Sequence, residues 1–400
     1  MGEIAADRWI EVDLDALTEN LHSINRFLAD RTRLIAVVKA NAYGMGAVEV
    51  AHTLSQQGVD FFAATFVEEA LEMRRGGIDN DILVFAPVRS DQAEKAVNNN
   101  LTLTIASFHD YKVLSTAAFR LRRRTRVHLK VDTGLGRFGI EEEGVLELAE
   151  LVNDDDYLVL EGVYTHFAEA GAHSSRYTWK QFRRFQGVLQ ILDQAGIRIS
   201  LRHCCNSAAA LKFPEMHLDA VRIGTLLGGQ YPAGDVPKPI LLHNPYRFKA
   251  RVAAVRDLPA GCYLGYYRTY RTRAPVRVAV VAAGFKDGLG MEAFSRPGSL
   301  LDLLKILARL VLTYLNFSRF AMKVTLRGQS YWVRGKVFMQ FCMVEFPPGS
   351  NIVAGDVVEV PVKRTMAAAD VSRVFLKNGQ PVKIELNERR LSYTGKGGTI

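Results

Sequence analysis

A lysine closes one of the most apolar runs of the chain. Leu34-Ile35-Ala36-Val37-Val38 is followed directly by Lys39. Burying an ammonium group is costly and lowers its pKa, and a neutral amine is the form that attacks a carbonyl to make a Schiff base. Taken by itself, Lys39 also reads as a strand-end lysine that snorkels to solvent. Four later apolar runs end in residues of the same functional kind. Arg137 follows Val127–Val131, His166 follows Leu160–Thr165, His203 and Asn206 follow the run from Ile199, and Arg222 with Gly224 closes Ala220–Ile223. A lone histidine at a strand end usually only makes a hydrogen bond. Five such ends converging on one face would be a site.

The elements that must position these residues alternate. Strands are predicted at Leu34–Val38, Phe61–Thr65, Ile82–Ala86, Leu101–Ile105, Val127–Val131, Leu160–Thr165, Ile199–His203 and Ala220–Ile223, with helical stretches between them. Eight strands and their helices over about 200 residues predict a parallel (β/α)8 TIM-type barrel, whose chemistry sits at the strand C-termini. A doubly wound sheet is the rival, but no glycine-rich dinucleotide fingerprint follows the first strand. Past Pro232 the texture changes to short β-rich pieces, at Phe248–Val255, Val276–Ala282, Lys323–Leu326, Tyr331–Val333, Val337–Phe341 and Val357–Val362. The predicted organisation is an N-terminal strand (1–13) packing with a C-terminal all-β domain (241–400), and a barrel over 14–240. An amphipathic helix is inserted near 299–316.

With 400 residues, 48% of them hydrophobic and 23% charged, the chain has the composition of a globular protein with two domains. Its net charge of +9 favours anionic ligands. The basic run Arg120–Arg126 has no interleaved aromatics and reads as a solvated loop before a strand, which argues against a nucleic-acid partner. The apolar stretch Leu300–Leu315 is too short and too charged to span a bilayer. Cys204, Cys205, Cys262 and Cys342 show no metal-ligand spacing. With no basic-then-apolar leader at Met1, they suggest reduced thiols in a cytoplasmic protein.

Val38-Lys39-Ala40-Asn41-Ala42-Tyr43-Gly44 resembles the cofactor-lysine motif of the alanine racemase family, which uses pyridoxal 5'-phosphate (PLP). Further stretches resemble that family in its own order. They are Lys130-Val131-Asp132-Thr133-Gly134-Leu135-Gly136-Arg137, Glu161-Gly162-Val163-Tyr164-Thr165-His166, His203-Cys204-Cys205-Asn206-Ser207, Val221-Arg222-Ile223-Gly224-Thr225, Gly265-Tyr266-Tyr267-Arg268 and Gly335-Lys336-Val337-Phe338-Met339. The resemblance implies an isomerase that interconverts L- and D-alanine with two bases, Lys39 and a Tyr266 reaching over from the other subunit of a homodimer. It implies that PLP is held by Lys39, Tyr43, Asn206, Ser207, Arg222, Gly224 and Thr225. Arg137 and Met339 would contact the small amino-acid substrate, with His166, Arg222 and His203 in support. Lys130 stands where the family often carries a carbamylated lysine. A role in D-alanine biosynthesis follows, for cell wall or spore.

The pattern is broken in three places. Gln340 stands where the family has aspartate after Met339. No tyrosine occurs at Ala368–Phe375, where one is expected, with Tyr393 a candidate substitute. Ser299–Phe320 is longer than the family needs. The first two would widen the substrate entrance, so a broader-specificity racemase is one alternative. A related PLP decarboxylase is another, but Cys262 and Cys342 lack the Cys-Asp-Ser context such enzymes use. A PLP-binding carrier is the non-enzymatic alternative, although such proteins generally lack the β domain.

Overall fold

The structure is a computed structural model that describes residues 6–29, 31–291, 300–314 and 322–385. The chain forms two units. One runs Asp13–Pro245; the other joins the chain up to Val12 with the chain from Tyr246 onward.

The first unit is a closed barrel of eight strands. With β1 taken as the N-terminal strand Arg8–Asp13, the barrel comprises β2 (Arg33–Val37), β3 (Phe61–Ala64), β4 (Asp81–Val84), β5 (Thr102–Ile105), β6 (Thr125–Lys130), β7 (Leu158–Tyr164), β8 (Leu201–His203) and β9 (Ala220–Ile223). All neighbouring pairs are parallel, and β9 closes on β2 with Ile35 opposite Arg222. This is the TIM-type architecture expected from the alternating strands and helices. Continuous burial of β3 explains why Phe61–Ala64 reads as an uninterrupted apolar run, whereas β5 alternates in sequence although all four of its residues are buried.

The barrel interior is divided in composition. Ile35, Val37, Phe61, Ala63 and Leu83 on β2–β4 form an apolar core with Leu201 and Ala220. The buried side chains of β6–β9 include His128, Lys130, Tyr164, His203 and Arg222. Buried polar groups are tolerated only when paired, so this half of the barrel has to be a network.

Residues 241–245 stay with the barrel because the buried Asn20 side chain donates to the His243 carbonyl (2.7 Å) and accepts from its amide (2.7 Å). The basic run is not a loop throughout. The helix Phe108–Leu121 continues to its end, Arg122 caps it at φ 51°, and Arg126 lies in β6, paired with Asp81. The loop is confined to Arg123 and Arg124.

Among the described residues, the second unit holds a nine-stranded sheet in which β1 pairs antiparallel with Tyr246–Leu258, with Arg8 opposite Ala250. The segment Val337–Phe341, expected as a strand, is irregular with a bend at Met339–Gln340, and the strand begins at Cys342. The carbonyls of Phe338 and Met339 are taken by the amides of Phe285 (3.0 Å) and Lys286 (2.9 Å), so they do not enter the sheet ladder. Gly284 permits this approach, since a Cβ there would overlap both carbonyl oxygens. Gly284→Ala is therefore expected to cost about 2–4 kcal/mol of stability, measured as a lowered denaturation midpoint. Two further strands, Ser372–Lys377 and Gln380–Glu385, were not anticipated.

Leu300–Tyr314 forms the inserted helix, with Leu300, Leu301, Leu304, Leu310 and Val311 more than half exposed. The rest of Ser299–Phe320 and Tyr393 lie outside the described residues. Among the described residues no helix is long and apolar enough to cross a membrane, and no cluster of His, Cys, Asp or Glu could hold a metal ion.

Candidate active site

A cavity of about 300 Å³ opens in the barrel unit, lined by Lys39, Tyr43, Lys130, Arg137, Tyr164, His166, Asn206, Ser207, Arg222, Gly224 and Thr225 among others. Every site residue expected from the barrel is there except His203, which lies fully buried behind Arg222. Tyr266 and Met339 belong to the β unit, where they are 64% and 60% exposed. Tyr266 sits in a tight turn and meets Phe338 edge-on at 5.1 Å.

Lys39 leaves β2 into an unusual backbone. Ala40, Asn41, Ala42 and Tyr43 all lie in the left-handed region, at φ 50–55°. Each such residue costs roughly 1–2 kcal/mol, and such strain persists only where the surroundings fix it. Here they do so through side-chain carboxyl and amide oxygens. Glu69 accepts from the Ala40 amide (2.6 Å) with one oxygen and from the Thr65 (2.7 Å) and Phe66 (3.1 Å) amides with the other. Asn41 accepts from the Ala47 amide at 2.6 Å. The turn carries both Lys39 and Tyr43 to the cavity. Of its residues only Asn41 and the closing Gly44 favour left-handed backbone, so sequence reasoning missed it, along with Glu69. Burial, reinforced by the charge of Arg137, lowers the Lys39 pKa, while Glu69 acts in the opposite sense.

Arg222 is fully buried and donates five hydrogen bonds. Its Nη1 reaches His203 Nδ1 (2.7 Å) and the His203 carbonyl (3.1 Å); its Nη2 reaches the carbonyls of Thr165 (2.8 Å) and Cys204 (3.1 Å) and His166 Nδ1 (3.2 Å). A guanidinium has no lone pair to accept with. Both imidazoles must therefore present a bare Nδ1 and carry their proton on Nε2. Burial and the adjacent Arg222 charge hold both histidines well below their usual pKa, so they are neutral.

Lys130 is buried and, among the described residues, forms no ion pair with a carboxylate, although the charge of Asp132 acts to raise its pKa. Its ammonium lies 5.0 Å from the Tyr164 ring centroid. Burial, then Arg222 and Arg137, lower its pKa to about 7. Tyr164 stacks on His203 at 4.8 Å, and burial raises its pKa to about 12.

At Gly224 the backbone amide donates to Ser207 Oγ at 3.2 Å, leaving that hydroxyl its own proton to donate. A Cβ on Gly224 would overlap the Tyr43 hydroxyl. Two hydroxyls and a glycine backbone thus come together with Thr225, a cluster suited to a phosphate. Asn206 has its Oδ1 committed as a helix cap to Ala208 and Ala209. The four thiols are free; Cys204 and Cys205 donate to the Met216 carbonyl.

Two family models match the chain, the alanine racemase N-terminal domain over residues 12–232 and the alanine racemase C-terminal domain over 246–380. The chain belongs to the alanine racemase family. Among similar proteins, alanine racemase 1 of Oceanobacillus iheyensis is 38% identical over 284 residues, 70% of this chain and 75% of that relative. Alanine racemase 1 of Caldanaerobacter subterraneus subsp. tengcongensis is 33% identical over 356 residues, 88% and 84% of the two chains. Of solved structures, alanine racemase of Clostridium difficile 630 aligns with TM-score 0.85 and 30% identity, covering 96% of this chain and 99% of the other. Alanine racemase of Bacillus anthracis with bound L-Ala-P aligns at 0.81 and 28%, covering 96% and 98%.

Proposed function

We propose that this chain is a PLP-dependent alanine racemase. The observation that carries the reading is the convergence, in one cavity of a family member, of a lysine of lowered pKa, a buried donor-only guanidinium and a hydroxyl-and-glycine anion cradle. This donor set fits PLP. Lys39 would hold its aldehyde carbon, Arg222 would face its ring nitrogen, and Tyr43, Ser207, Gly224 and Thr225 would hold its phosphate, with Asn206 alongside. Once bound, the cofactor withdraws electron density from Cα so that the proton there can leave.

The chain's own residues supply the rest. Racemisation needs a proton removed on one face of Cα and returned on the other, hence two groups. Lys39 Nζ is one. Tyr266 of the partner subunit is the other, in a homodimer with two shared sites. His166 carries its proton on Nε2 because Arg222 claims its Nδ1, so it can donate to the phenolate that forms when Tyr266 gives up its proton. Arg222 does not deprotonate at neutral pH. Placed against the cofactor's ring nitrogen, it would offer that atom no proton to take up, which would limit side reactions such as transamination. Arg137 binds the substrate carboxylate. The site of action is the cytoplasm, where D-alanine serves cell-wall or spore formation.

Three results test parts of this reading. Gly224→Ala would push the Tyr43 hydroxyl out of the phosphate cradle, and PLP affinity should fall at least about tenfold, read by fluorescence titration of the apoprotein. Lys130, half neutral near pH 7, can attack carbon dioxide; a C–N bond forms, a proton leaves Nζ, and the carbamate anion is matched by Arg137 and Arg222. A ¹³C carbamate resonance should appear with labelled bicarbonate, grow as pH rises through about 7, and be absent in Lys130→Ala. The Gln340 substitution supports a wider substrate range, so L-serine should be turned over measurably beside L-alanine.

A further inference from the structure

His203 is not the end of the buried network. Its Nε2 lies 2.9 Å from Nδ1 of His128, and Nε2 of His128 lies 3.0 Å from Oε2 of Glu161. Both rings are fully buried. Glu161 is partly exposed and stands 3.8 Å from Arg126. A continuous path of four side chains thus joins Arg222 to a carboxylate through the polar half of the barrel.

The two ends of this path fix its protons. Arg222 can only donate, so His203 presents a bare Nδ1 and protonated Nε2. That Nε2–H requires a bare Nδ1 on His128, which leaves the His128 proton on Nε2. There it meets an acceptor-only carboxylate. Reading from Glu161 gives the same assignment. Any other tautomer, or a second proton on either ring, would set N–H against N–H or leave two lone pairs facing, in a buried place where an unmade hydrogen bond is costly. The fold makes room for this arrangement at one point. A Cβ on Gly162 would come within 2.7 Å of the His128 ring, and the β6–β7 register shifts between Val127 and His128. Hydrogen bonding from His128 and the nearby Arg126 and Arg33 charges outweigh burial and hold the Glu161 carboxyl below its ordinary pKa, hence ionised.

We propose that Glu161 and His128 are positioning residues that act through His203: they lock both imidazoles in the Nε2–H tautomer and so hold the Arg222 guanidinium in the orientation that faces the cofactor ring. The inference rests on the PLP reading for the role of Arg222, but its geometry does not depend on that reading.

The test uses histidine-¹⁵N-labelled holoenzyme, with His128→Phe and Glu161→Gln for assignment and kinetics. His128→Phe keeps a ring in the barrel but offers Nε2–H of His203 no acceptor. Glu161→Gln keeps an acceptor oxygen without the charge. The wild type should show His128 and His203 neutral and protonated on Nε2. His128→Phe should lower kcat for alanine about tenfold with KM changed less than about twofold, and Glu161→Gln should lie between it and the wild type. An Nδ1–H signal from either ring in the wild type overturns the proposal even if neither variant folds. So does a folded, PLP-loaded His128→Phe with wild-type kcat. A wild type that shows the expected tautomers yet racemises no amino acid would instead refute the functional reading and leave the proton arrangement standing.

Discussion

Lys39→Ala is expected to reduce alanine racemisation by on the order of 10³-fold or more, because on the proposed mechanism one side chain would fill two roles. Its amine would hold the cofactor, and it would move the Cα proton on one face. Lys39 also sits at the start of the left-handed turn, and alanine there leaves the turn's own restraints from Glu69 and Asn41 in place. The variant should therefore fold with near wild-type thermal stability while losing covalent retention of PLP, seen as loss of cofactor on gel filtration. Added alkylamines of suitable size should restore part of the rate. A variant that retains activity would remove Lys39 from the chemistry.

Tyr266→Phe should lower the rate by about 10²–10⁴-fold, the usual range for a lost acid–base group. The loss should be one-sided, with Cα proton exchange surviving from one enantiomer and vanishing from the other, since Lys39 would still serve its own face. Tyr266 is 64% exposed in the β unit, as a residue destined for another subunit's site would be. Mixing Lys39→Ala and Tyr266→Phe subunits tests this placement. In mixed dimers one site would combine the intact Lys39 of one chain with the intact Tyr266 of the other. About a quarter of wild-type activity should return if dimers form at random. No recovery would mean that both residues act within one chain.

Much of this site was legible from the sequence, for identifiable reasons. Strands β2–β4 are largely buried on both faces, so they appear as short apolar runs, and the candidate site residues follow the barrel strands at the ends where barrel chemistry occurs. What escaped notice depends on geometry that residue types do not encode. Nothing in Ala40, Ala42 or Tyr43 marks a left-handed turn. Glu69 looks like one of several acidic residues opening a helix, yet it restrains Ala40, the residue after Lys39, from 29 positions away in sequence. His128 did leave a trace, since it stands two residues before Lys130 on the same strand and so on the same face. Val337–Phe341 has the β-branched and aromatic composition of a strand. It was misread because the competing bonds come from Phe285 and Lys286, some fifty residues earlier.

The most direct test of the central claim is Cα proton–deuterium exchange followed by NMR, with PLP-loaded protein in D₂O, L-alanine as substrate and Lys39→Ala as control. Deuterium should enter Cα with formation of D-alanine, detected by chiral chromatography, and both signals should disappear in the control. Exchange that persists in Lys39→Ala, or no exchange from L-alanine by protein that binds PLP at Lys39, would contradict that claim.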